Sequence, residues 1–340
     1  MKTNNSEGHK SLNLGIQILR AILCLWVLFS HCAKIKKEHL KYFKKNYHVP
    51  TFFILSFYFY YPTLVKRNSI IIKKRFQRLL LPYFFWPIFV FILNNLLVHF
   101  TSLGKVTAKL SLKELYLQLL TGAQYYRVFW FQFNLIFLSL VFSLISFIFK
   151  KKILIILECL GIISLNFHFA KINRKTFEVY EKNIKWSIGR VNEALPLAIV
   201  GCIYSSINLI SKINNITLHS FFILLDIIYI LFNYDLFKIF PGFSYSNTLS
   251  YILASTVFVL FFSSLKFDKF NILKTIIMNI TKYTGGIYYI HVIFYKYVYF
   301  FFKIKKTSYF FSFIVYVICY IICFLGNKLF KNNRFKYLII

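Results

Sequence analysis

The chain has 340 residues, 58% of them hydrophobic and only 15% charged, and 42 Lys and Arg face 10 Asp and Glu for a formal net charge of +32. Soluble domains are about 45–50% apolar, so this balance excludes an ordinary soluble enzyme and predicts an all-α, polytopic membrane protein. The basic residues punctuate apolar stretches, which fits anionic lipid headgroups rather than nucleic acid, and no nucleic-acid partner is expected. Heavy use of Lys, Ile, Asn, Phe and Tyr is also what an AT-rich genome encodes, so the charge is not functional by itself.

Ten spans are predicted: 12–33, 49–65, 79–100, 128–149, 153–170, 191–210, 216–232, 248–265, 275–301 and 308–329. They form one transmembrane domain over 1–340 that surrounds a polar cavity. An even count puts both ends on one side. Lys and Arg divide almost evenly between the two sides, so the positive-inside rule does not choose which. The loops are short, and any chemistry belongs between the helices. The polar opening segment runs into a full-length span without a small-residue cleavage site, which is not the pattern of a removable signal peptide.

The first span carries two ionisable residues, Arg20 and His31. Eleven steps of a helix end about 20° past three full turns, so the two share a face, and Gln17 and Cys24 fall near it. An arginine within the bilayer costs at least ~2.5–3.5 kcal/mol, which predicts that this stripe faces protein or a wet cavity. The alternative is a snorkelling Arg20 and an interfacial His31.

The second span opens with His48-Val49-Pro50-Thr51-Phe52-Phe53-Ile54-Leu55-Ser56-Phe57. Ser56 is read as a membrane-core serine or as a donor to a neighbouring helix. Next comes Lys73-Lys74-Arg75-Phe76-Gln77-Arg78, followed by Leu-Leu-Leu-Pro-Tyr. Arg75 and Arg78 are i, i+3 neighbours, predicted to form a guanidinium pair suited to phosphate oxygens. Contact with lipid phosphate is the other reading.

Trp130-Phe131 opens the fourth span. Glu158 lies inside an apolar run, where an acid is a functional candidate. It either orients a catalytic histidine or pairs with a structural cation, and Glu193 is the alternative acid. The ninth span holds Gly285-Gly286, expected to bend or pack closely, and a second intramembrane histidine, His291. The six cysteines show no CxxC spacing and are read as core residues. No GxSxG, P-loop, HExxH or Asp-rich cluster is present, so no metal site is expected.

Taken in order, the R-x(10)-H of the first span, Phe-Phe-x-x-Ser, RxxR-x(3)-Pro-Tyr, the Trp opening of the fourth span and the late Tyr-x-x-His resemble acyltransferase family 3. These are the polytopic membrane O-acyltransferases of bacterial surface glycans. Phe57 stands where the family's second-span pattern has glycine. The resemblance implies a multi-pass protein of the bacterial inner membrane with both ends inside. It implies that Arg20, Arg75 and Arg78 hold the phosphates and pantetheine arm of acetyl-CoA, a donor substrate, with no permanently bound cofactor. His31 would act as general base and Glu158 as its acid partner. Trp130 and His291 would lie on the substrate side. The acceptor would be a hydroxyl of a cell-surface or lipid-linked glycan. An exporter or flippase for surface polysaccharide is the alternative, and a non-enzymatic partner in glycan assembly is a third reading.

Overall fold

The computed structural model describes residues 13–32, 48–100, 109–122, 124–125, 128–149, 153, 155–157, 159–161, 182–207, 246–265, 271–302, 309–331 and 334–338. Among these residues all regular structure is helical: α1 (Leu14–Cys32), α2 (His48–Lys66), α3 (Ser69–Phe100), α4 (Leu112–Thr121), α5 (Phe129–Phe149), α6 (Lys182–Ser206), α7 (Ser246–Ser264), α8 (Asn271–Lys282), α9 (Thr284–Phe302), α10 (Tyr309–Leu329) and a 3-10 helix, Arg334–Leu338.

Most helices fall on the predicted spans. The span expected over 216–232 lies outside the described residues, as does most of 153–170. Three helices, Ser69–His99, Phe129–Phe149 and Phe310–Leu329, are long and apolar enough to cross a membrane among the described residues. Their outward faces expose large apolar side chains, among them Ile92, Leu144 and Phe313, as a lipid-facing surface does.

Two elements were not expected. One is α4, which begins with a capping box between Ser111 and Glu114 and ends at Gly122 in the left-handed region. The other is the 3-10 helix. The span predicted over 275–301 is also divided. Its break falls at Tyr283, before Gly285-Gly286, and the glycine pair lies in the first turn of α9. The Thr284 hydroxyl donates to the Thr281 carbonyl across the break at 3.0 Å.

The turn from α2 to α3 needs no glycine. The Arg67 and Asn68 N–H groups donate to the Leu64 and Thr63 carbonyls at 3.1 and 3.2 Å, a Schellman ending with Arg67 at φ 51°. That conformation strains an ordinary side chain. Here Arg67 is held by the last carbonyls of α5, donating to those of Ser146 and of Phe147, the latter at 3.1 Å.

Two clusters form the core. One joins α1, α2, α5 and α6 through Leu19, Phe53, Phe57, Phe142 and Ala198. The other joins α1, α5, α9 and α10 through Leu28, Phe129, Ile287 and Phe311. Tyr288 packs against both. Lipid is as apolar as a leucine, so close packing rather than water exclusion holds such helices together.

Close approach is visible at Gly201 of α6, where a Cβ would meet the Ile54 carbonyl oxygen of α2 at 2.3 Å. Phe57 fills the core against Phe142, ring centroids 4.9 Å apart. Similarly, a Cβ on Gly15 would collide with the Phe262 carbonyl of α7.

Gly201→Ala is expected to push α2 and α6 apart and destabilise the protein by ~1–3 kcal/mol, the usual cost of overpacking. Thermal unfolding of the detergent-solubilised protein measures this. An unchanged midpoint would show that the helices do not meet at Gly201.

Candidate functional site

The basic run at the start of α3 divides. Residues three apart on a helix differ by about 60° in direction, and here that offset sends Arg75 and Arg78 to different places. Arg75 enters the gap between α2 and α5. Its Nε donates to Ser139 Oγ at 2.9 Å and its Nη2 to Ser56 Oγ at 2.9 Å. Its guanidinium carbon lies 4.1 Å from the centre of the Tyr60 ring and 5.3 Å from that of Phe57. Tyr60 is fixed in turn by a 2.7 Å hydrogen bond with Ser143. Ser139, Ser143 and Ser146 recur along one face of α5, so a ladder of hydroxyls meets α2.

Arg78 is exposed. It turns to a cavity of about 420 Å³ lined by Lys74, Arg78, Lys282, Asn327, Lys331, Lys336 and Tyr337. Lys74 and Arg78 are i, i+4 on α3 and therefore share a face. The other lining residues come from the end of α8, the end of α10 and the 3-10 helix. The paired clamp expected from the RxxR spacing is thus not formed by Arg75 and Arg78 together. Arg78 joins lysines that are remote in sequence, and Arg75 is engaged by serines.

None of the described lining residues is acidic. Among the described side chains Glu114 is the sole carboxylate, and it is committed to the cap of α4. Among the described residues the cavity is therefore a concentration of positive charge. Like charges placed so close favour a bound anion.

Arg20 faces protein. Its Nη1 donates to Gln17 at 3.1 Å and its Nη2 to the Thr284 hydroxyl at 3.4 Å. The Cys24 thiol points at the Thr284 carbonyl at 3.7 Å. The stripe read from the sequence meets the break between α8 and α9, two residues along from Lys282. Arg20 does not line the cavity. His31 lies in the last turn of α1, and its side chain is outside the described residues, as are Glu158 and the side chain of Glu193.

Trp130 and His291 share one aromatic neighbourhood. Trp130, half-buried in the first turn of α5, has Arg190 of α6 at 5.1 Å from its ring and Phe53 of α2 at 6.5 Å. Its neighbour Phe131 lies 5.4 Å from Tyr288, and Tyr288 lies 5.8 Å from His291. Tyr288 also donates to the Val128 carbonyl at 2.7 Å, joining α9 to the start of α5.

His291 is buried. Its Nδ1 lies 2.7 Å from the Tyr288 carbonyl and 3.3 Å from that of Ile287. A carbonyl only accepts, so Nδ1 carries the proton, and in the neutral ring Nε2 is the acceptor.

The corner before Trp130 is tightly set. Gly122 at φ 67° approaches the Phe129 carbonyl so closely that a Cβ would sit 2.6 Å from it. Tyr83 of α3 donates to the Leu119 carbonyl at 2.8 Å, and Tyr125 donates to that of Pro87 at 2.7 Å.

The sequence reading missed Lys282, Lys331, Lys336 and Tyr337, along with Arg190 and Thr284. Each lysine resembles an ordinary flanking residue of a span, and nothing in the local pattern signals that they converge. Among the described residues no three His, Cys, Asp or Glu side chains gather as a metal site.

A family model described as an acyltransferase domain matches residues 13–339. No curated protein and no solved structure shows significant similarity to the chain.

The divided arginines predict divided phenotypes. Arg75→Ala leaves the hydroxyls of Ser56 and Ser139 without their partner and is expected to destabilise the protein by about 1–3 kcal/mol. Arg78→Ala should leave the unfolding midpoint near that of the wild type. Equal destabilisation by both would contradict the two placements.

Proposed function

The chain belongs to acyltransferase family 3, and from that premise we propose that it moves an acyl group, acetyl by resemblance to the family, from cytoplasmic acyl-CoA to a hydroxyl of a cell-surface or lipid-linked glycan. The setting is the bacterial inner membrane, crossed about ten times by a single domain with both ends inside. The observation that carries the donor half is the cavity beside Arg78, lined by five cations. Acyl-CoA is the substrate of such a reaction that brings several phosphate charges with it, and guanidinium and ammonium groups together suit phosphate oxygens.

In this reading Arg78 and the cavity lysines hold the phosphates, and Arg20, next to Thr284, meets the pantetheine arm. Arg75 has a different task from the one its spacing suggested. With its donors taken by Ser56 and Ser139, it fixes α3 so that Arg78 faces the cavity. Trp130, beside Arg190, offers an aromatic face of the kind on which a sugar ring lies, and His291 orients the acceptor.

An alcohol is a weak nucleophile at neutral pH, so the reaction needs a base. His31 is suited to it, because an unperturbed imidazole titrates near pH ~6.5. It takes the proton from the acceptor hydroxyl as the oxygen attacks the thioester carbonyl. Collapse of the tetrahedral intermediate breaks the carbon–sulfur bond, and the proton passes to the departing CoA thiolate. Glu158 is the proposed partner that steadies the imidazolium.

His31→Gln keeps a hydrogen-bonding side chain but cannot accept the proton. It is expected to lower glycan O-acylation by ~10²–10⁴, with protein level and acetyl-CoA binding unchanged. Ester analysis of surface glycan from cells carrying the variant measures this. Full retention of esters would remove His31 from the role. Less surface glycan with unchanged ester content would favour the exporter reading.

A further inference from the structure

The 3-10 helix Arg334–Leu338 is fastened rather than loosely apposed. Leu338 is buried in the second core cluster, and its carbonyl accepts a hydrogen bond from Trp86 Nε1 of α3 at 3.2 Å. These two contacts set Lys336 and Tyr337 against the cavity. Among the lining residues Tyr337 is the aromatic one. The centre of its ring lies 5.6 Å from the Arg78 guanidinium carbon and 5.6 Å from Lys336 Nζ.

The cavity therefore joins two kinds of surface. One is a set of five cations. The other is an aromatic face with cations close by. A volume of about 420 Å³ is within the range of small-molecule sites, about 300–1,000 Å³. Phosphates alone would use only the cations. A nucleotide uses both, because its base stacks on an aromatic face while its phosphates meet the ammonium and guanidinium groups.

We infer that the 3-10 helix completes the nucleotide-recognising part of the donor site, with the cavity holding the donor's phosphates and Tyr337 supplying the face on which its purine stacks. This inference rests on the acyl-CoA reading above and adds Tyr337, with the 3-10 helix that positions it, to the cavity cations already named there. A lipid headgroup would present the same phosphate chemistry but no base, so the ring is what separates the two sources.

The test uses the purified full-length protein in detergent. Three probes are titrated: acetyl-CoA, adenosine bisphosphate (the nucleotide end of CoA without its pantetheine arm) and glycerol phosphate as a headgroup analogue. Wild type is expected to bind adenosine bisphosphate more tightly than glycerol phosphate. Tyr337→Ala should weaken adenosine bisphosphate binding about fivefold to a hundredfold, the range for one base stacked on one ring. Tyr337→Phe keeps the face and should bind like wild type. Lys331→Gln combined with Lys336→Gln should weaken binding and reduce its salt dependence. An unfolding midpoint for each variant separates lost binding from lost folding.

Acetyl-CoA binding that is equal in wild type and Tyr337→Ala, with binding weakened in the double lysine variant, would overturn the inference and leave the donor reading standing; binding unchanged in both variants would overturn the two together. Glycerol phosphate binding as tightly as adenosine bisphosphate would make the cavity a headgroup site and overturn the nucleotide assignment. A wild type that binds no acetyl-CoA would overturn the donor reading and the inference with it.

Discussion

A guanidinium held inside an apolar bundle, with neutral partners among the described residues, is the constraint on which much of this structure turns. Removing a charge from water costs several kcal/mol or more, even after relaxation. Arg75 meets that cost with neutral partners: two serine hydroxyls and the faces of Tyr60 and Phe57. Cation–aromatic contacts of this kind strengthen when water is excluded. The partners come from α2 and α5 while the arginine comes from α3, so one side chain ties three helices. Arg20 follows the same rule with Gln17 and Thr284, tying α1 to α9.

Neutral partners have an electrostatic consequence. A carboxylate would cancel each arginine and leave little field beyond it. Hydroxyls, amides and aromatic rings satisfy the N–H donors yet leave the positive charge in place. Among the described residues the positive charge of Arg75 and Arg20 is thus left uncancelled, and the cavity is itself lined by Lys74, Arg78, Lys282, Lys331 and Lys336. Polyanions are the species that such a field attracts.

The aromatic neighbourhood of Trp130 and His291 depends on a different device, the corner between α4 and α5. Gly122 in the left-handed region lets the chain turn against the carbonyl of Phe129, and two tyrosine hydroxyls fasten the corner to α3. Pro82 and Pro87 interrupt the hydrogen bonding of α3 in the same stretch. The Gln132 amide of α5 donates to the Leu79 carbonyl there. Trp130 is placed by these backbone contacts more than by its own packing, which is why its role could not be judged from an interfacial tryptophan alone.

The sequence by itself determined the helical, lipid-facing character and the places of most helices, because runs of apolar residues of membrane length leave few alternatives once backbone groups must be satisfied within the chain. It also determined that Gln17, Arg20 and Cys24 share a face, since helical periodicity is a local property. It did not reveal α4 or the 3-10 helix, whose short segments lack a long apolar pattern. Nor did it show that the break in the ninth span falls at Tyr283 rather than at the glycine pair. Only the tertiary structure decided that Arg75 and Arg78 part company, because a 60° difference in direction acquires meaning once α2 and α5 occupy one side of α3. The same holds for Lys282, Lys331, Lys336 and Tyr337. Each is an unremarkable flanking residue in its own stretch, and they become one site only when the ends of α8 and α10 and the 3-10 helix are brought to the side of α3 that carries Arg78.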